Sequence, residues 1–68
     1  MDQYALNRNI KKYLNEKRIT QRELGNQVGM SEAVISNIVR NRRYIYADEI
    51  LPICKALGVS VAEIYAEG

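Results

Sequence analysis

The chain has 68 residues, of which 47% are hydrophobic and 26% are charged, and its formal net charge is +2 at pH 7. A chain of this length has room for one small core but not for a large enclosed active site. It contains no histidine, the commonest metal ligand and general base. We therefore expect a single domain over residues 1–68, with no catalysis, no cofactor and no metal site.

The single cysteine, Cys54, cannot form an internal disulfide, which agrees with a reducing compartment. No apolar run approaches the roughly 18 residues that a membrane span needs. We therefore expect a cytoplasmic protein without membrane contacts.

The charge is unevenly distributed. Residues 1–46 contain nine Lys and Arg against four Asp and Glu, whereas residues 47–68 contain one Lys against four Asp and Glu. A basic region joined to an acidic one favours a polyanion on one face of the protein. A solvated mixed surface fits the charge equally well.

The first two predicted helices have clear ends. The first covers about Gln3 to Lys17, where apolar residues recur at spacings of three and four. The second begins at Thr20, because the sequence TQRE places Thr20 three residues before Glu23, the spacing of a capping box. Gly29 ends it, since glycine adopts a left-handed turn without steric cost.

Three more helices follow, and no segment has a strand pattern. Ser31 caps the third, which extends to about Arg40, and the capping-box sequence SVAE opens a short fifth. The fourth covers about Ala47 to Leu57, and Pro52 should remove one of its hydrogen bonds and kink it. Its inward residues are predicted to be Ile50, Leu51, Ile53, Cys54 and Leu57. The sequence therefore predicts a compact all-α domain of five helices.

The third helix separates into two sides when its residues are placed about 100° apart. The aliphatic side, between roughly 200° and 340° from Glu32, is formed by Val34, Ile35, Ile38 and Val39. The opposite side is formed by Glu32, Ala33, Ser36, Asn37 and Arg40. Small polar side chains let a helix backbone approach a partner surface closely. A glycine-containing turn between two capped helices is typical of a helix-turn-helix, and the DNA major groove, about 12 Å wide, admits one α-helix.

The segment TQRELGNQVGMSEAVISNIVRNRR (Thr20 to Arg43), continued by KALGVSVAEIY (Lys55 to Tyr65), resembles the Cro/C1-type helix-turn-helix family of bacterial and phage regulators. The residues that match the pattern of this family are Gln21, Gly25, Gly29, Ser31, Ile35 and Ile38. The resemblance implies a λ-repressor-like fold with a recognition helix from Ser31 to Arg40. The chain departs from the pattern at Asn41, which stands in place of a usual glycine but tolerates the left-handed turn, and at Arg18, which replaces a common Gly or Asn.

The resemblance also implies two groups of DNA-binding residues. Those expected to read base edges are Glu32, Ala33, Ser36 and Asn37. Those expected to bind phosphate are Gln21, Arg40, Arg42, Arg43 and Tyr44. The chemistry agrees, because Asn can bond adenine, Glu can accept from cytosine, and Ala can contact a thymine methyl.

Alternatives remain for several of these residues. Glu32 also fits as a favourable acid at a helix N-terminus. The other residues that also fit as solvated surface side chains are Gln21, Ser36, Asn37 and the arginines. Tyr44 and Tyr46 fit phosphate-bonding, core-covering and dimer-contact roles equally.

The function implied is sequence-specific binding of double-stranded DNA for transcriptional regulation. We expect a small repressor that occupies a palindromic operator as a homodimer, which Val59 to Tyr65 could join, in the cytoplasm or on the nucleoid. No small-molecule ligand is evident. The alternative is a protein-interaction module, such as an antitoxin or an anti-repressor.

Overall fold

The computed structural model describes residues 4–66. Its helices are α1 (Ala5–Lys17), α2 (Gln21–Val28), α3 (Glu32–Val39), α4 (Ala47–Leu57) and α5 (Val61–Tyr65). The prediction of five helices and no strand is confirmed for these residues. The first helix begins at Ala5, after the predicted start at Gln3, which lies outside the described residues.

All five helices contribute to one core. Its buried side chains are Ile10, Leu14, Leu24, Ile35, Ile38, Ile53, Cys54, Leu57 and Ile64. Helices this short are marginal in isolation, so their shared apolar packing stabilises them, at about 1.5–3 kcal/mol for each fully buried large aliphatic side chain. No helix within residues 4–66 has the length and hydropathy that a membrane span requires.

The corner between α2 and α3 depends on a close approach of two backbone segments. The Met30 N–H donates to the Gly25 carbonyl at 2.9 Å. A Cβ added at Gly25 would lie 2.5 Å from the Met30 carbonyl oxygen, well inside contact distance. Gly29 ends α2 with a φ of 74°. The glycine at position 25 therefore lets the turn fold tightly against α2, and this fixes the direction in which α3 leaves it.

Thr20, Ser31 and Ser60 cap their helices as predicted, although for Thr20 only one of the two capping-box bonds is present. The Thr20 hydroxyl accepts from the Glu23 N–H at 3.0 Å, and the Ser31 hydroxyl accepts from the Val34 N–H at 3.2 Å. Ser60 and Glu63 form the predicted reciprocal pair, with both bonds at 3.0 Å. These bonds satisfy backbone donors that have no partner within their own helix.

One expectation for α4 needs correction. Leu51 was expected to point inward, but it is 62% exposed. It lies about 100° around the helix from Ile50 and so falls outside the arc that Ile53 and Leu57 share with the core. Pro52 lies inside α4, which continues through it, so the helix lacks one hydrogen bond as expected, and the kink stays a prediction. Only the Asp48 carbonyl loses its helical donor, and both residues are exposed, so water can take that place.

Arg18 provides a test of how α1 ends. It holds a left-handed φ of 55°, and its N–H bonds back to the last turn. This conformation costs a non-glycine residue about 1–2 kcal/mol. We therefore expect Arg18→Gly to raise the free energy of unfolding by about 1 kcal/mol in urea denaturation. Arg18→Ala removes the same charge but keeps the strain, and equal stabilisation by both variants would contradict this explanation.

Candidate nucleic-acid interface

The two sides predicted for α3 are confirmed by its burial. Ile35 and Ile38 are completely buried, while Glu32, Ala33 and Asn37 are exposed. Ser36 is half-buried. The described part of the chain therefore leaves most of this polar side open, with Ser36 at its edge.

The predicted phosphate-binding residues lie at two places. Gln21 is the first residue of α2, where backbone N–H groups without helical partners favour an anion. The others follow α3 directly. Arg40 caps this helix, and Arg42 and Tyr44 are exposed in the connection to α4.

The chain reverses direction just after α3, at Asn41. Its φ is 60°, so the expectation that asparagine would accept the left-handed turn is confirmed. The Arg42 N–H then donates to the Asn37 carbonyl at 2.9 Å. This turn presents Arg40 and Arg42 immediately beside the last turn of α3.

Arg43 differs from the other arginines, because its guanidinium already has a carboxylate partner. Its two terminal nitrogens bond the two Glu49 oxygens at 3.0 and 2.6 Å, and one of them also donates to the Tyr44 carbonyl at 3.0 Å. The side chains of Arg43 and Glu49 are only 24% and 15% exposed. The Tyr46 ring centroid lies 4.9 Å from the guanidinium. Arg43 thus ties the connection after α3 to the first turn of α4, and its phosphate role stays a prediction.

Sequence reasoning missed Asn7, which is 1% exposed. Its side-chain nitrogen donates to the Ile38 carbonyl at 3.0 Å and to the Arg43 carbonyl at 2.7 Å. One amide group therefore joins α1 to the end of α3 and to the connection that follows. The signal was its position, three residues before Ile10 and seven before Leu14, which places it on the apolar side of α1.

Arg22 is a second residue that sequence reasoning missed. Its Nε lies 3.6 Å from a Glu32 carboxylate oxygen, and the two side chains are 76% and 57% exposed. An exposed pair of this kind contributes at most about 1 kcal/mol. Glu32 therefore stays accessible, and Arg22 offsets part of the repulsion that a carboxylate would meet near DNA.

Tyr44 lies against another aromatic side chain. Its ring centroid is 5.1 Å from that of Tyr4, at an interplanar angle of 30°. Tyr44 and Tyr46 are both exposed, so neither covers the core in the described residues. The phosphate-bonding and dimer-contact interpretations both remain for them.

Residues 9–66 match the sequence profile of the Cro/C1-type helix-turn-helix DNA-binding domain. The chain belongs to this family. Comparison with curated proteins gave no match.

Solved structures extend the likeness. The clp gene regulator ClgR from C. glutamicum has a TM-score of 0.85 and 29% identity, over 91% of this chain and 80% of that one. The P22 c2 repressor, solved with a synthetic operator, has a TM-score of 0.76 and 27% identity, over 87% and 89%. The restriction-modification controller C.AhdI from Aeromonas hydrophila shares the fold, with a TM-score of 0.83 and 19% identity over 93% and 96%. The λ-repressor-like fold is therefore confirmed.

The Arg43–Glu49 pair makes stability depend on pH. The hydrogen bond from Arg43 holds the pKa of Glu49 below its ordinary value, although burial opposes the shift. The stabilisation is therefore complete above the unfolded pKa, about 4.3, and is lost as the pH falls through the lower folded pKa. We expect Glu49→Gln to lower the free energy of unfolding by about 2 kcal/mol at pH 7.

The same variant should flatten the acid limb of stability against pH, measured by urea denaturation between pH 7 and pH 2.5. Glu16→Gln removes an equal charge from an exposed position on α1 and controls for net charge. An acid limb as steep in Glu49→Gln as in the unchanged chain would show that this pair does not control it.

Proposed function

We propose that the chain regulates transcription by binding a specific duplex sequence with α3 in the major groove. The observation that carries this proposal is that α3 has one buried side and one exposed side. Ile35 and Ile38 are buried, which anchors the helix, while the side bearing Asn37 is open. A major groove about 12 Å wide accepts a helix of 10–12 Å diameter only when one side of it projects from the protein.

The exposed groups of α3 have the chemistry needed to read bases. Asn37 is the best suited, because its amide can bond N6 and N7 of adenine together and because it is exposed in the second half of the helix. Glu32 can accept from the N4 amine of cytosine, and Ala33 can contact a thymine methyl. Ser36, at the edge, is suited to one hydrogen bond with a base or a phosphate.

Phosphate contacts would fix the helix in its register. Gln21 begins α2, where the backbone favours an anion. Arg40, Arg42 and Tyr44 extend from the connection after α3. Arg43 would act mainly by holding that connection in place through Glu49, because its terminal nitrogens are already bonded.

Repression by a symmetric dimer is the finer part of the proposal. Val61 and Tyr65 of α5 are 40% and 48% exposed and lie four residues apart, so they share one side of the helix that a second copy could cover. Dimers of helix-turn-helix proteins bind half-sites about 34 Å apart, one turn of the duplex, and a dimer of this chain would need the same spacing between its two α3 helices. A dimer bound to such an operator would block access to a promoter. The protein would act in the cytoplasm, on the nucleoid. The P22 c2 repressor, solved with an operator, supports this interpretation.

Asn37→Ala and Arg42→Ala test the two kinds of contact. After selection of a preferred duplex from a randomised library, Asn37→Ala should weaken binding to it by about 1–3 kcal/mol and relax preference at one base pair. Arg42→Ala should weaken binding to all duplexes and flatten the salt dependence. Fluorescence anisotropy at several salt concentrations measures both effects.

Lys55→Gln, on the exposed surface of α4, is the matched control for Arg42→Ala. A library that yields no preferred sequence at moderate salt would refute the proposal. If neither Asn37→Ala nor Arg42→Ala changed the transcription of a regulated gene in cells, the interaction-module alternative would be favoured instead.

A charge on α5 tests the dimer. Val61→Glu should shift the chain towards monomer in sedimentation velocity and should weaken binding to a full palindrome more than to a half-site, because it repels its symmetry mate. Leu51→Glu places the same charge on an exposed apolar position of α4. It should change neither the sedimentation behaviour nor the relative binding to the palindrome and the half-site. Equal effects of the two variants would argue against pairing through α5.

A further inference from the structure

A groove of about 340 Å³ runs between α1 and the end of α3. Its lining consists of Arg8, Lys11, Lys12, Asn15, Val39 and Asn41. The four residues from α1 lie at spacings of three and four, so they form one strip along that helix. Three of them carry positive charge, and no carboxylate is among the described residues that line the groove.

The groove is built on fixed elements. Asn7 directly precedes Arg8 and lies one turn before Lys11, and its amide bond to the Ile38 carbonyl holds α1 against the last turn of α3. The Lys12 ammonium lies 5.5 Å from the centroid of the Tyr13 ring, which favours a cation at this place. The strip therefore has a set position relative to α3.

The groove is continuous with the proposed DNA-binding surface. Asn41, which forms part of its wall, lies between Arg40 and Arg42 in the sequence. A helix that fills the major groove has a phosphate backbone on each flank. If one of these phosphate backbones contacts Arg40 and Arg42, its next phosphates would lie near the strip on α1.

We propose that this strip, Arg8, Lys11, Lys12 and Asn15, is a second phosphate-binding surface that extends DNA contact from the helix-turn-helix onto α1. The inference rests on the proposed function and adds to it the phosphodiester backbone as the occupant of the groove. Cationic side chains and a side-chain amide suit phosphate oxygens, and these contacts carry no information about base sequence.

The strip has one competing explanation. The C-terminus of α3 has a partial negative charge of about one half, which a nearby cation stabilises. Three cations carry more charge than is needed to balance this partial charge. Stabilisation of the α3 C-terminus and phosphate binding also predict different experimental results. A strip that serves only α3 would change thermal stability when it is neutralised, and it would leave the salt dependence of DNA binding as it was.

The experiment measures binding of Lys11→Gln/Lys12→Gln at several salt concentrations, by anisotropy, to the library-selected duplex and to a scrambled duplex of the same composition. The slope of log affinity against log salt should fall in magnitude by about 0.9 for each phosphate that the variant no longer neutralises. Affinity for both duplexes should fall by the same factor. Lys11→Arg/Lys12→Arg, which keeps the charges, should retain the original slope, and Lys55→Gln should resemble the unchanged chain.

Three results would overturn the inference: an unaltered slope in the glutamine variant, a loss confined to the selected duplex, or an equal loss in the arginine variant. Failure of the proposed function looks different, since the unchanged chain would then show no preferred sequence. An unchanged chain without any affinity for duplex DNA would overturn both. Thermal midpoints of all variants, measured in parallel, identify any loss that comes from unfolding.

Discussion

The tight corner between α2 and α3 is the constraint on which the rest of the structure depends. Gly25 and the Met30 carbonyl approach so closely that a Cβ has no room, and Gly29 supplies the left-handed turn between them. Because the two helices meet at this corner, Ile35 and Ile38 can enter the core while Asn37 faces outward. A single continuous helix could not turn α3 away from the direction of α2.

A second set of contacts carries the structure beyond the helix pair. The buried amide of Asn7 bonds the carbonyls of Ile38 and Arg43, and the Arg43 side chain bonds Glu49 on α4. Three helices are thereby fixed around the connection that bears Arg40 and Arg42. Charge-assisted, mostly buried bonds of this kind hold geometry better than exposed pairs do. Exposed arginines can then meet phosphates from a rigid base.

Much of the fold could be predicted from the sequence because its signals are local. Caps at Thr20 and Ser31 and left-handed residues at Gly29 and Asn41 act within one turn of the chain, and each is present as expected. The partners of Asn7 and Arg43 are distant in the sequence or depend on how helices pack, so no spacing rule revealed them. The position of Leu51 was missed for a different reason, because it lies at the edge of the apolar stripe of α4, where an apolar residue can face either way. The assignment of base and phosphate contacts remains a prediction.

The most direct test of the account is a nuclear magnetic resonance titration of the isotopically labelled chain with the library-selected duplex. The account predicts that backbone amide shifts concentrate in residues 31–43, with a second group at residues 8–15. Leu51 and Lys55, which are exposed on α4, should change little. Shifts centred on residues 51–56, with α3 unaffected, would contradict the claim that the exposed side of α3 enters the DNA.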